Sequence, residues 1–141
     1  MEKQLEAAKE ILQQQGYTCV LCRDGELVTS DRRGVAPLLD FLDSGRDFSG
    51  FYAADKVVGK ATGFLYCLLG VRGVYAPVMS KAAAKVLADR GIICRYDQLV
   101  EGIRNRTDTG FCPMETATAD ITDPETALKA IRKTLAQLRK N

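Results

Sequence analysis

The chain has 141 residues, 46% hydrophobic and 27% charged, with 20 Lys and Arg against 18 Asp and Glu and no histidine. That length suits one domain with one buried core, and a net charge of +2 gives no reason to expect nucleic acid or an anionic membrane as partner. The longest mostly apolar stretch, Ala61 to Val71, is too short to cross a bilayer. Without histidine, the commonest metal ligand and the commonest general base are both missing. Five cysteines without framework spacing, behind a polar and periodic amino-terminal segment, predict a cytoplasmic protein.

In chain order, Leu5, Ala8, Ile11 and Leu12 recur at helical spacing and Gly16 stops them, so a first helix is expected near 3–15. TCVLCR alternates, Asp24-Gly25 is a hairpin signal, and ELVTS returns as the partner strand. Pro37 opens a short helix ending at Gly45. GFYAAD reads as a strand and KVVGKATGFLYCLLG as a helix closed by Gly70. VYAPVMS is strand-like, with Pro77 suggesting an edge or a bulge. Ser80 caps KAAAKVLADRG, a helix stopped by Gly91. IICRY reads as a short strand and YDQLVEGIRN as a helix. A polar turn over 105–110 precedes FCPMETA, and Asp123 caps a last helix at about 124–139, with Leu128, Ile131, Leu135 and Leu138 on one face. The expected fold is a single three-layer α/β/α sandwich, its mixed sheet starting with an antiparallel hairpin.

VVGKATG lacks the first glycine and the hydroxyl after the lysine that a phosphate loop needs, so its glycines are read as packing positions. Cys19 and Cys22 form a CxxC, but three positions apart on a strand they face opposite sides and cannot share a metal ion. Asp55-Lys56 ends one strand where the next helix is expected to begin, the place where open α/β sheets collect ligands. Asp55 is either a simple cap or, with Lys56 and with Lys60 one turn on, part of an anion site. Cys112 precedes Pro113 and would be the N-cap of a helix with Glu115 in its first turn. The plain reading is a packing thiol and a capping carboxylate. The chemical one is a thiol activated by helix-start N–H groups, with positive charge from Arg104 and Arg106.

ADKVVGKA, NRTDTGFCPME and the hairpin TCVLCRDGELVTS together resemble domain-of-unknown-function family 1893, small prokaryotic proteins, over roughly Tyr17 to Glu115. The resemblance implies a cytidine-deaminase-like fold. Deaminases hold zinc with a His- or Cys-x-Glu at one helix start and a Pro-Cys-x-x-Cys at another. Here Asp55-Lys56-Val57 and Cys112-Pro113-Met114-Glu115 stand in those places, so the expected site has no zinc and no other cofactor.

The leading expectation is a zinc-independent deaminase-fold protein that binds a small anionic or nucleotide-like ligand. Asp55, Lys60, Arg104, Asn105 and Arg106 would line the site. Cys112 would be a nucleophile, Lys56 a proton donor and Glu115 an acid or base in any chemistry. The alternatives are a non-catalytic sensor or assembly module and a divergent metal-dependent deaminase. A homo-oligomer is compatible with each.

Overall fold

The computed structural model describes residues 2–105 and 110–140. Its elements, in order, are α1 (Glu2–Gln15), β1 (Cys19–Arg23), β2 (Glu26–Ser30), α2 (Ala36–Asp43), β3 (Tyr52–Asp55), β4 (Val57–Val58), α3 (Lys60–Leu69), β5 (Gly73–Ser80), α4 (Lys81–Asp89), β6 (Ile93–Val100), α5 (Pro113–Thr118) and α6 (Pro124–Lys140). Asp24 and Gly25 both take positive φ, 46° and 87°. That is the turn whose twist matches two antiparallel strands, which fixes the β1–β2 hairpin.

The sheet is six-stranded and mixed. β1 pairs antiparallel with β2 on one side and with β3 on the other, while β3, β4 and β6 all run parallel to β5. Gly73 of β5 pairs with Tyr52 of β3 and Ile93 of β6, and Val78 pairs with Val57 of β4 and Gln98 of β6. β3 and β4 therefore lie in line along one side of β5, and β6 fills the other.

Strand alternation sorts the side chains into two layers. Cys19, Leu21, Ala53, Val74 and Ala76 join the large core under α2, α3, α4, α5 and α6. Val20, Cys22, Tyr52, Ala54 and Tyr75 join a smaller one under Leu5, Ala8 and Leu12 of α1. The two cysteines of the CxxC thus face opposite layers. Ile131, fully buried on α6, anchors the last helix to the large core.

Three expectations are corrected. Residues 56–59 are not helical, because the β-branched pair Val57–Val58 finds ladder partners in Val78 and Met79, and α3 starts only at Lys60. Asp55 and Lys56 consequently do not open a helix. Lys56 sits in the break between β3 and β4, where its N–H donates to the carbonyl of Thr18 at 3.2 Å.

The segment expected to be helical from Tyr96 is instead the second half of β6, paired with β5 as far as Val100. Eight residues of β5 offer backbone groups that need partners, and this need overrides a weak local pattern. Pro77 lies in a central strand, not at an edge. It is absent from the ladder on both sides, opposite the β3–β4 break, so the missing N–H falls where pairing is already interrupted.

Candidate functional site

After β6 the chain passes Glu101 and Gly102 and forms a short ribbon. Asn105 N–H donates to the carbonyl of Gly110 at 2.9 Å, Cys112 N–H to that of Ile103 at 2.8 Å, and Arg104 bridges Phe111 antiparallel. The Arg104 guanidinium lies 5.4 Å from the centre of the Phe111 ring. Arg106, expected among the ligand contacts, lies outside the described residues.

The ribbon delivers Cys112 as the N-cap of α5. Its carbonyl accepts from the N–H of Glu115 at 2.9 Å, while its half-buried thiol makes no capping bond and packs against the large core. Glu115 does not fold back onto its own helix start. Its Oε1 accepts the N–H of Lys60, the first residue of α3, at 2.7 Å. The N-cap of α3 is Gly59, which has no side chain to offer.

Nor is there space for one. A Cβ on Gly59 would lie 2.3 Å from Glu115 Oε1 and 2.9 Å from Ile103 Cγ1. The return contact comes from Lys60, whose Nζ donates to the carbonyl of Ala119, the C-cap of α5, at 2.9 Å. A carboxylate meets the positive end of α3 and an ammonium meets the negative end of α5, so both contacts follow the helix dipoles. The Glu115 bond is partly buried and is of the kind that contributes about 1.5–3 kcal/mol, whereas the Lys60 bond lies exposed to solvent.

Beside this pair opens a cleft of about 350 Å³ lined by Lys60, Glu101, Gly102, Phe111, Glu115 and Thr116, with Ala82 and Ala119. Glu101 is paired with Lys81 at the rim. Phe111 is 53% exposed and borders the cleft with its ring. Gly102 keeps the cleft open, since a Cβ there would stand 2.9 Å from the Phe111 ring.

Of the residues expected in the site, the cleft takes Lys60 and Glu115. Asp55, Lys56 and Cys112 do not line it. The sequence reading missed Glu101, Gly102, Phe111 and Thr116. The glycine directly after a charged residue was an available signal, but it was hidden by treating 96–105 as a helix.

Asp55 belongs to a separate, buried group. Tyr66 Oη donates to its Oδ2 at 2.7 Å, and Cys19 Sγ stands 3.2 Å from the same hydroxyl. Burial pushes the Asp55 carboxyl up to about 7, partly offset by the bonds from Tyr66 and from the N–H groups of Val57 and Lys56. Burial also raises the Tyr66 phenol and the Cys19 thiol, helped in each case by the charge on Asp55.

Among the described residues, no three His, Cys, Asp or Glu side chains are grouped to hold a metal ion. The donor set that would stand in for the deaminase zinc ligands does not fit zinc. Asp55 is bonded to Tyr66, and Glu115 to a backbone N–H.

A family model described as a domain of unknown function, DUF1893 (TM1506), matches residues 7–135. The chain belongs to this family. A crystal structure of a DUF1893 family protein (TM1506) from Thermotoga maritima is similar at a TM-score of 0.82 and 24% sequence identity, over 97% of this chain and 91% of that one. At that identity the likeness carries the fold: a mixed α/β protein around a six-stranded open sheet. No curated protein matches the sequence. Among the described residues, no helix is long and apolar enough to cross a membrane.

Two outcomes test this geometry. Glu115→Ala should destabilise the protein by about 1–3 kcal/mol in urea unfolding, and Gly59→Ala by a comparable amount, because the new methyl displaces the same carboxylate. In a double-mutant cycle the two should fall well short of additive; full additivity would mean that Glu115 does not cap α3.

The second outcome concerns pH. Asp55 binds its proton more tightly when folded than when unfolded, so its contribution is present below about pH 4 and is lost as pH rises towards 7. Across that window, Asp55→Asn should gain roughly 4 kcal/mol on the native protein, from a shift of about three pKa units. Parallel stability–pH curves for the two proteins would refute the buried carboxyl.

Proposed function

We propose that this chain is a cytidine-deaminase-like protein that binds a small nucleotide-like ligand, independently of zinc, in the cleft between α3, α4 and α5. The observation that carries this reading is the direct bond from Glu115 to the first N–H of α3. On this reading the starts of α3 and α5, tied by this bond, are counterparts of the two helix starts that carry the zinc motifs in deaminases, with a cleft beside them whose lining has no zinc donor set. Phe111 supplies a face for a planar base. The second oxygen of Glu115 and the hydroxyl of Thr116 are acceptors for base or sugar donors. Lys60 is the cation in the lining, beside the carboxylates of Glu101 and Glu115.

Binding without catalysis is favoured by what the polar groups already do. One oxygen of Glu115 and the ammonium of Lys60 are held by helix ends, and the expected proton donor Lys56 is exposed outside the cleft. Calorimetric titration with a panel of nucleosides and nucleotides should find a ligand whose affinity falls about tenfold or more in Phe111→Ala, the usual size of a lost base–aromatic stack. Gly102→Val, which pushes a side chain against Phe111, should abolish that binding. A panel without binders, or a binder indifferent to both changes, would refute the proposal.

Covalent chemistry at Cys112 is a second reading. In its favour, Cys112 is the thiol that stands at a helix start beside a polar ribbon, whereas Cys19 and Cys22 are buried in the sheet. Alkylation of the native protein with peptide mapping decides it: Cys112 should react well ahead of the other four, and equal rates would reduce it to a packing residue.

A further inference from the structure

Among the described residues β6 pairs only with β5, and no other strand of these residues takes its outer side. Arg95, Tyr96, Asp97, Gln98 and Leu99 are all exposed, Tyr96 at 42% and Leu99 at 37%. Edges of this length are usually protected by charged side chains, lysine above all, by proline or a bulge, or by a covering element. The strand ICRYDQLV contains neither proline nor lysine. We propose that this edge pairs antiparallel with β6 of a second copy, about a twofold axis through Tyr96, so that the two sheets become one.

Backbone direction and charge together select that register. Ile93 N–H points inward, to the carbonyl of Arg72 at 2.9 Å, so by alternation the N–H and C=O of Cys94 and Tyr96 point outward. A twofold axis at Tyr96 lets the two tyrosines exchange both backbone bonds. It also sets Arg95 of each copy opposite Asp97 of the other. Moving the axis to residue 95 places arginine against arginine, and moving it to residue 97 places aspartate against aspartate. Like charges directly opposite are destabilising, so the register at Tyr96 is favoured over both neighbours.

Both charged groups suit this role. Asp97 accepts the Tyr75 hydroxyl through Oδ2 at 2.6 Å, which orients the carboxylate and leaves Oδ1 for a guanidinium. Arg95 Nη1 donates to the carbonyl of Cys94 at 2.9 Å, which covers an outward acceptor in the single chain. In the pair, that carbonyl receives an N–H from the other strand and the guanidinium turns to Asp97. The arrangement is isologous and closes at two copies, so it uses up the β6 edge of both and leaves β2 as the outer strand at each end of the joined sheet.

Sedimentation velocity over a concentration series is the test. The wild-type chain should form a reversible dimer. Arg95→Asp and Asp97→Arg should each weaken it by about tenfold or more, since two favourable cross-strand pairs become two repulsive ones. The combined swap R95D/D97R should restore it, and Tyr96→Pro, which removes an outward N–H, should abolish it. Should Asp97→Arg fail to fold on losing the Tyr75 bond, Arg95→Asp and Tyr96→Pro decide alone. A wild-type monomer at every concentration overturns the pairing and leaves the edge to solvent or another chain. A dimer indifferent to Arg95→Asp overturns it as well, by placing the interface elsewhere.

Discussion

The contact between Glu115 and the first N–H of α3 sets the arrangement of the whole upper end of the molecule. A helix start leaves N–H groups that need acceptors, and Gly59, the cap residue of α3, has no side chain to provide one. The acceptor comes instead from a helix that begins more than fifty residues later. Lys60 returns the contact at the far end of that helix. Each helix thereby neutralises an end of the other. The cleft lies where it does because the two helix starts are tied and Gly102 and Gly59 give them room to approach.

A second constraint runs through the sheet. β5 has partners along both sides, and one partner is broken at Asp55–Lys56 opposite Pro77. The break turns the Asp55 carboxyl under α3 onto Tyr66, in surroundings where charge is costly. Among the described residues its bonded partners are the Tyr66 hydroxyl and the backbone N–H groups of Lys56 and Val57, and no cationic side chain bonds to it. The result is an acidic group that works against stability at neutral pH, offset by the packing of the fully buried side chains of the core. Such a group fixes the direction of Tyr66 and with it the seat of α3 on the sheet.

The proposed binding cleft and the proposed pairing edge fall on different parts of this frame. The cleft sits on the α3–α5 side, while the outer edge of β6 sits on the strand that leads into the ribbon. Because β6 runs directly into Glu101 and Gly102, a partner on that edge would stiffen one wall of the cleft without entering it. A binding module that also assembles is consistent with helix ends already satisfied by Glu115 and Lys60.

Local chemistry determined much of the fold. Asp-Gly at 24–25 defines the hairpin, the i, i+3, i+4 spacing of Leu5, Ala8 and Leu12 defines α1, and Ser80 with Ala83 and Pro113 after Cys112 define two helix starts. The opposite faces of Cys19 and Cys22 follow from strand period alone. Tertiary structure decided the rest. Whether Val57–Val58 and Tyr96–Val100 are strand or helix depends on the unsatisfied backbone of β5, which no local window contains. Glu115 looks like the first-turn carboxylate of its own helix and serves another, because the choice between two N-termini is made by packing across more than fifty residues of sequence. Asp55 ends a strand and Cys112 opens a helix, places where ligands often gather, yet one is turned into the core and the other caps with its backbone. A side chain's neighbours, and hence its chemistry, are properties of the folded arrangement and not of the residue type.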